Sequence, residues 1–172
     1  MPEREDEIEV VRGGPQDTRR LLALFDDAIE WLVARGQTGQ WGDTPFSARD
    51  AEAGRAQGWA DSGGLWFAVG PDGDYAGAIV LGEAFGYVPP PERPEVYVQV
   101  LLTAAAYRGR GVGRRLIDQA RQVAREQGAE QLRVDCWDGT PALPAAYLRL
   151  GFERVGSFDV KGWPGAILAM PV

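Results

Sequence analysis

A chain of 172 residues, 45% hydrophobic and 25% charged, has the apolar content of one compact core and too balanced a mixture for wholesale disorder, collagen-like structure or coiled coil. It holds no histidine and one cysteine, Cys136. That excludes Ser-His-Asp and Cys-His catalysis, histidine-ligated zinc, cysteine-rich metal sites and internal disulfides, so no metal is expected and a reducing, cytoplasmic setting is favoured. The net charge of −7 argues against general binding to nucleic acid or anionic membranes and suits cationic small molecules better.

Residues 1–172 are read as a single domain, the first few mobile. Met1 to Glu7 is charged and lacks the apolar core of a signal peptide, and nowhere do about eighteen apolar residues run together as a membrane span requires. Ile8 to Arg12 reads as a strand. After Gly13-Gly14-Pro15, a helix from about Asp17 places Leu21, Leu22, Phe25, Ile29, Leu32 and Val33 on one face and ends near Gly36. A second helix runs from Ser47 as N-cap to Gln57, with Gly58 beyond it; few large apolar residues mark it as a surface element. Leu65 to Val69 and Tyr75 to Leu81 flank the turn residues Pro71-Asp72-Gly73-Asp74, a hairpin signal. The proline-rich run Gly86 to Pro94 is short enough to be a loop within the domain.

Val96 to Thr103, rich in β-branched and aliphatic residues, reads as a buried central strand. From Gly111 to Gln127, the residues Val112, Leu116, Ile117, Ala120, Val123 and Ala124 form one apolar stripe with arginines opposite, and Gly128 suits the C-terminal cap. Gln131 to Trp137 is a further strand. Thr140 is placed as the cap of a helix that starts at Pro141, carries Leu143, Tyr147 and Leu150 on one side and ends at Gly151. Phe152 to Asp159 and Ala166 to Met170 complete a final strand pair. This order implies a mixed sheet with helices on its faces, its central strand-helix-strand unit parallel and right-handed.

Chemistry concentrates where the central strand meets the long helix. Between Tyr107 and Arg125 stand Arg108, Arg110, Arg114, Arg115, Arg121 and Arg125 against Asp118 alone. Within this stretch Gly109, Gly111 and Gly113 remove the Cβ atoms that keep a ligand from the backbone. A helix N-terminus adds unpaired N–H groups and about half a positive charge, so the turn can hold a phosphate or pyrophosphate. Alternatively the glycines serve only a tight turn and close packing. The spacing is neither the dinucleotide pattern nor the Gly-Lys-Ser/Thr of a triphosphate loop.

Arg108-Gly109-Arg110-Gly111-Val112-Gly113 resembles the Arg/Gln-x-x-Gly-x-Gly/Ala signature of the GNAT N-acetyltransferase superfamily. Ala146-Tyr147-Leu148-Arg149-Leu150-Gly151-Phe152 resembles its second signature, a helix with Tyr-x-x-x-Gly-Phe followed by a strand. The resemblance covers Val96 to Phe158; the earlier part matches in element order, and Trp31-Leu32 to Trp41 is also similar to a subset of bacterial members. It implies an α/β (α+β) fold, a mostly antiparallel sheet of about seven strands with about four helices and a central parallel pair. It also implies a bacterial acetyl-CoA-dependent enzyme that acetylates a primary amine by direct attack in a ternary complex. The turn from Arg108 through Gly109, Arg110, Gly111, Val112 and Gly113 to Arg114 would bind the coenzyme A pyrophosphate. N–H groups near Leu102 and Thr103 would polarise the thioester, and Tyr147 would protonate the departing thiolate. Thr140 stands where many relatives have asparagine and is too short to serve as a ligand residue. Alanine at 105, where proline is frequent, leaves a backbone-mediated site intact.

A lysine-like amine of pKa about 10.4 costs roughly 4.6 kcal/mol to deprotonate at pH 7. Without histidine the candidate bases are Glu83, then Asp135, or a water chain. Tyr147 has packing as its other role. Trp41, Asp43, Phe46, Phe85, Tyr97, Trp137 and Trp163 offer aromatic walls and negative charge to a cationic acceptor, or belong to core and surface. Cys136 reads as a small buried residue rather than a nucleophile. The competing functions are a non-catalytic acyl-CoA sensor or regulatory module and acetylation of a protein amine; DNA binding through the arginines is opposed by the overall acidity. An edge strand or final hairpin leaves monomer and homodimer both open.

Overall fold

The computed structural model of the protein describes residues 7–172; the expected mobility of the first few residues concerns positions outside this range. In chain order the elements are β1 (Glu9–Arg12), α1 (Thr18–Val33), α2 (Asp50–Asp61), β2 (Leu65–Val69), β3 (Tyr75–Gly82), β4 (Glu95–Thr103), α3 (Val112–Glu126), β5 (Gln131–Trp137), α4 (Ala142–Arg149), β6 (Glu153–Val160) and β7 (Trp163–Pro171). Short 3-10 turns stand at Pro15–Asp17, Phe46–Ala48 and Ala105–Tyr107. The sheet order is β1-β2-β3-β4-β5-β7-β6. β4 and β5 run parallel in the register Glu95↔Gln131 to Val98↔Val134, giving the mixed sheet with a central parallel pair that the element order implied.

The chain forms two compact units, one holding the residues up to Val80 together with Val100–Leu116, the other Leu81–Gln99 and Ile117–Val172. In the first, Leu21, Leu24, Phe25, Ala28 and Ile29 of α1 meet Ala56 and Ala60 of α2 and the strand residues Leu65, Phe67, Ala78, Val80, Val100 and Leu102. The α1 stripe differs from expectation at its margins. Leu24 and Ala28 are buried, whereas Leu22 is half-buried and Val33 is 40% exposed. Phe25 stacks on Phe46 at 4.3 Å and on Trp59 at 5.6 Å, and meets Trp41 edge-on at 5.5 Å; burying such a ring stabilises by about 1.5–3 kcal/mol.

The second helix starts later than Ser47 and runs through Gly58. Ser47 lies in the preceding 3-10 turn, where its N–H and Oγ both donate to the Asp26 carboxylate at 3.2 and 2.5 Å. That bond replaces the capping role read from the sequence. Ala56 and Ala60, one turn apart and fully buried, carry the packing that keeps the helix going past a glycine. β3 also comes close to the chain that enters α3. A Cβ on Gly77 would lie 2.5 Å from the Leu102 carbonyl oxygen and 2.7 Å from Val112 Cγ1.

In the second unit β5 pairs on its other side with β7, antiparallel from Gln131↔Pro171 to Trp137↔Gly165. β6 pairs with β7 and ends the sheet order. A two-residue turn joins them, with Lys161 at φ 51° and Gly162 at φ 83°, the backbone that matches strand twist in a tight hairpin. The turn lets pairing begin at Val160↔Trp163, so β7 starts three residues before the expected Ala166; Pro164 and Gly165, poor strand formers, had hidden that extension. Pro141 occupies the cap position of α4 with no side-chain cap bond, so Thr140 is not the cap.

Gly77→Ala is expected to lower the unfolding free energy by about 1–3 kcal/mol, the usual effect of overpacking, because the obstructing atom is backbone. Urea melts would check it; an unchanged midpoint would contradict the packing described.

Candidate active site

The link from β4 to α3 is pinned before it turns. The Ala104 N–H donates to the Ala76 carbonyl at 2.8 Å, and the Ala105 N–H donates to Asp27 Oδ2 at 2.8 Å. The N–H groups of Tyr107, Arg108 and Arg110 are taken by the Ala104, Ala105 and Tyr107 carbonyls. Gly109 and Gly111 then adopt left-handed φ of 75° and 79°, a region that disfavours a side chain. A Cβ on Gly109 would meet nothing within 4 Å, so conformation rather than crowding calls for glycine there. The first helical bond runs from the Arg115 N–H to the Gly111 carbonyl at 3.1 Å. The amides of Val112, Gly113 and Arg114 therefore precede the ladder, at the positive end of the helix dipole. Gly113 sits in the first helical turn, where glycine is worth about 1 kcal/mol less than alanine. A turn whose Val112, Gly113 and Arg114 donors have no partner among the described residues, with no Cβ at three positions and with exposed Arg108, Arg110 and Arg114, fits a diphosphate.

Around the turn, the Arg108 guanidinium lies 3.6 Å from the Trp31 ring centroid and that of Arg35 3.8 Å from the same ring. Burial and then Arg35 push the Arg108 pKa below its ordinary value, with Asp27 opposing. Arg110 lies over Tyr107 at 4.7 Å, and Arg115 donates to the Ile8 carbonyl at 2.5 Å. Asp27 and Arg35 were not singled out from sequence, and Trp31 only as part of the resemblance; Asp27 and Trp31 are one turn apart on a polar side of α1, and Arg35 follows four residues on, just past its end. Along β4, successive N–H groups alternate in direction. The Ala104 N–H faces β3, so that of Leu102 does too, and the Thr103 N–H points the other way.

In the second unit, Tyr147 of α4 is 8% exposed and meets Phe152 edge-on at 5.8 Å; its hydroxyl makes no hydrogen bond among the described residues. Burial, then Cys136 and Asp135, raise its pKa. Burial, then Asp135 and Asp138, push the Cys136 thiol up to about 12, which leaves it protonated and unreactive. Tyr97 Oη donates to Asp135 Oδ1 at 2.5 Å. Burial raises the Asp135 pKa against that bond. Arg133 turns instead to Glu95, with Nε and Nη2 donating at 2.5 and 2.8 Å.

Glu83, just past β3, has an exposed side chain, and its carbonyl accepts from Gln99 Nε2 at 2.8 Å. The expected aromatic walls are dispersed. Trp41 and Phe46 pack on Phe25 in the first unit. Phe85 meets Tyr97 at 5.9 Å, Trp163 stacks on Phe158 at 6.0 Å and Trp137 is half-buried. Asp43 is exposed and accepts from Thr44.

Residues 24–152 match the family model described as the acetyltransferase (GNAT) family. The chain belongs to that family. A protein of Oryza sativa subsp. japonica, named as a probable glucosamine 6-phosphate N-acetyltransferase, is 37% identical over 60 residues, 35% of this chain and 34% of its own; the chain thus spans about a third of that relative's length. A GNAT-family acetyltransferase structure from Listeria monocytogenes superposes with TM-score 0.68 at 20% identity, covering 96% of this chain and 95% of that one. A Salmonella typhimurium structure with its cofactor acetyl-CoA gives 0.65 at 15%, covering 96% and 94%. Both show a shared fold. No helix among the described residues is long and apolar enough to cross a membrane.

Because burial raises the Asp135 pKa in the fold, its stabilising contribution is full below the ordinary carboxylate range and lost as pH rises through the raised value. Asp135→Asn, permanently neutral and still able to accept from Tyr97, should therefore be more stable than wild type at pH 7. The gap should close as pH falls toward 4. Urea melts across that range check the sign.

Proposed function

We propose that this enzyme acetylates a primary amine of a small molecule by direct attack in a ternary complex, with the coenzyme A pyrophosphate on the amides of Val112, Gly113 and Arg114. The observation that carries the reading is the left-handed Gly109–Gly111 turn, which opens the start of α3 with those donors ahead of the helical ladder. Arg108, Arg110 and Arg114 add charge, and Gly109 and Gly111 supply the conformation. When bound, acetyl-CoA supplies an activated thioester carbonyl. The Thr103 N–H, turned away from β3, is the donor proposed to polarise it, with Leu102 fixing the strand beside it.

Tyr147 is the proposed acid. Burial keeps its phenol protonated, and the hydroxyl is left for a ligand to take. A thiolate is costly in such surroundings, as the raised Cys136 thiol shows, so proton or hydrogen-bond donation favours its departure. Of the proposed bases, Glu83 and Asp135, the latter is favoured. Burial raises its pKa toward working pH, and Tyr97 engages only Oδ1, whereas the Glu83 side chain stands in solvent. The name of the rice relative specifies an amine that also carries a phosphate, and the acceptor proposed here is an amine of comparable size. A reducing cytoplasm accords with the buried thiol.

Gly113→Asp, which puts bulk and negative charge at the helix start, should weaken coenzyme A binding at least about a hundredfold by calorimetry; unchanged affinity would reject the turn as the pyrophosphate site. Thiol release from acetyl-CoA on adding an amine panel separates an enzyme from a sensor that only binds. With a responding amine, Tyr147→Phe should keep coenzyme affinity while kcat falls about a hundredfold. Asp135→Asn should remove the acid limb of the pH–rate profile and Glu83→Gln should retain it. The reverse pattern would transfer the base to Glu83.

A further inference from the structure

The strand registers of the second unit gather aromatic side chains on the sheet face that carries Asp135. Tyr97 stands opposite Arg133, Trp137 opposite Gly165 and Gly165 opposite Phe158. By strand alternation Tyr97, Asp135 and Phe158 therefore point to one side, and Trp163, two before Gly165, points with them. Gly165 makes room for this, because a Cβ there would collide with Phe158 Cζ; the phenyl ring lies across β7. Tyr87 joins these rings to the loop after β3. Trp163 stacks on Phe158 at 6.0 Å, Phe158 meets Tyr87 at 5.0 Å, Tyr87 stacks on Phe85 at 5.5 Å and Phe85 meets Tyr97 edge-on at 5.9 Å. The run ends in the hydroxyl that Tyr97 donates to Asp135. Its inner ring, Tyr97, is buried, but Phe85, Phe158 and Trp163 are half-buried and Tyr87 is 46% exposed. A core gains by closing over its rings; this run stays open at its outer end and meets a carboxyl at its inner one. Beside that carboxyl, Glu95 and Arg133 neutralise one another as a buried pair. Asp159, next to Phe158, is turned to the other face and accepts from the Gly162 N–H at 2.8 Å. A body lying along the rings thus meets apolar surface, with Asp135 as the place for an ammonium.

We infer that this run is the acceptor subsite and that the acceptor is an arylalkyl amine, its ring against Phe158, Tyr87 and Trp163 and its amino group at Asp135. The inference rests on the proposed acetyl transfer with Asp135 as base, and narrows the acceptor to a class. Gly165, under the Phe158 ring, is one strand over from β5 and two residues along from Asp135, about 8 Å by strand geometry. A two-carbon chain and one hydrogen bond cover that distance. Flat rings give a flat ligand stacking beyond the area it buries, and their faces also attract its ammonium group. A sugar amine would instead leave hydroxyls against rings that give them no hydrogen bond.

The test is thiol release from acetyl-CoA with 2-phenylethylamine, n-butylamine and glucosamine 6-phosphate as acceptors, on wild type, Tyr87→Ala, Phe158→Leu and Phe158→Tyr, with urea melts confirming that each is folded. Wild type should prefer phenylethylamine to n-butylamine at least about tenfold in kcat/KM, the discrimination a buried ring supplies. Phe158→Leu, which keeps apolar bulk but not the flat face, and Tyr87→Ala should each cut that preference about fivefold, through KM rather than kcat. Phe158→Tyr should keep it. Equal kcat/KM for the two amines, a preference for glucosamine 6-phosphate, or a preference intact in Phe158→Leu overturns the inference and leaves acetyl transfer standing. Equal loss in Phe158→Leu and Phe158→Tyr overturns it too, by assigning Phe158 to packing. Where no amine releases thiol, calorimetry of phenylethylamine on coenzyme A-saturated protein decides. Binding that weakens in Phe158→Leu upholds the subsite and rejects the transfer; absent or undiminished binding overturns the subsite as well.

Discussion

A strand has to become a helix between Thr103 and Val112 without using up the first amides of that helix, and everything functional in the first unit follows from how the chain does this. The restraint is applied upstream, by the Ala104 bond to β3 and the Ala105 bond to Asp27. Gly77 allows the Leu102 carbonyl and Val112 to approach β3 at distances no side chain permits. With the entry fixed from two sides, the left-handed glycines can reverse the chain by conformation alone. No side chain or carbonyl has to be spent on the donors at Val112, Gly113 and Arg114. An anion bound there, as proposed, would require little reorganisation of the turn, which is where preorganised amides gain over water.

α1 serves two purposes from two faces. Leu21, Leu24, Phe25, Ala28 and Ile29 make the core, and Asp27 and Trp31, with Arg35 just past the helix end, address the turn through one hydrogen bond and a double stack. The helix is steadied separately at its start, where Asp17 accepts from the Gly14 N–H at 2.9 Å and from Arg20 at 3.0 Å. A chain of net charge −7 thus keeps a cationic patch beside the turn, where the nearby Asp27 accepts from the Ala105 N–H and Asp17 from the Gly14 N–H. The global balance says little about the sign of the field a ligand meets there, which is set by groups within about a Debye length.

Element order, the buried central strand and the glycine turn were legible because each rests on local periodicity or on residues with special backbone preferences. What was missed depends on contacts distant in sequence. Ser47 looks like a cap until Asp26, on another helix, takes its N–H and hydroxyl. The start of β7 is hidden by Pro164 and Gly165, which pair in register with Asp159 and Phe158. At the candidate site the glycines and Tyr147 could be named from pattern, but the Arg35–Trp31–Arg108 stack joins a helix to a loop far along the chain. The Tyr97–Asp135 bond likewise requires the parallel register that sets Tyr97 opposite Arg133, so that Asp135 falls one step further on the same face.

That register poses an electrostatic choice. Tyr97, Arg133 and Asp135 share one face of adjacent strands, and a guanidinium beside Asp135 would hold its carboxylate ionised, well below the ordinary range. Glu95 prevents this by accepting two hydrogen bonds from Arg133, both partners of the pair being 7% exposed. Glu95 also accepts from Gln131 at 3.2 Å. Buried pairs of this kind contribute little net stability against an apolar replacement, though removing one partner is strongly destabilising, so their retention is better explained by what they do to neighbours. With the cation committed to Glu95, Asp135 is left a neutral phenol as its partner and burial as the dominant influence. The proton affinity of Asp135 rises rather than falls. Glu95, two residues before Tyr97 on β4, takes the Arg133 charge and so leaves the Asp135 carboxylate more basic than it would be beside a guanidinium, which is what the proposed role as base requires.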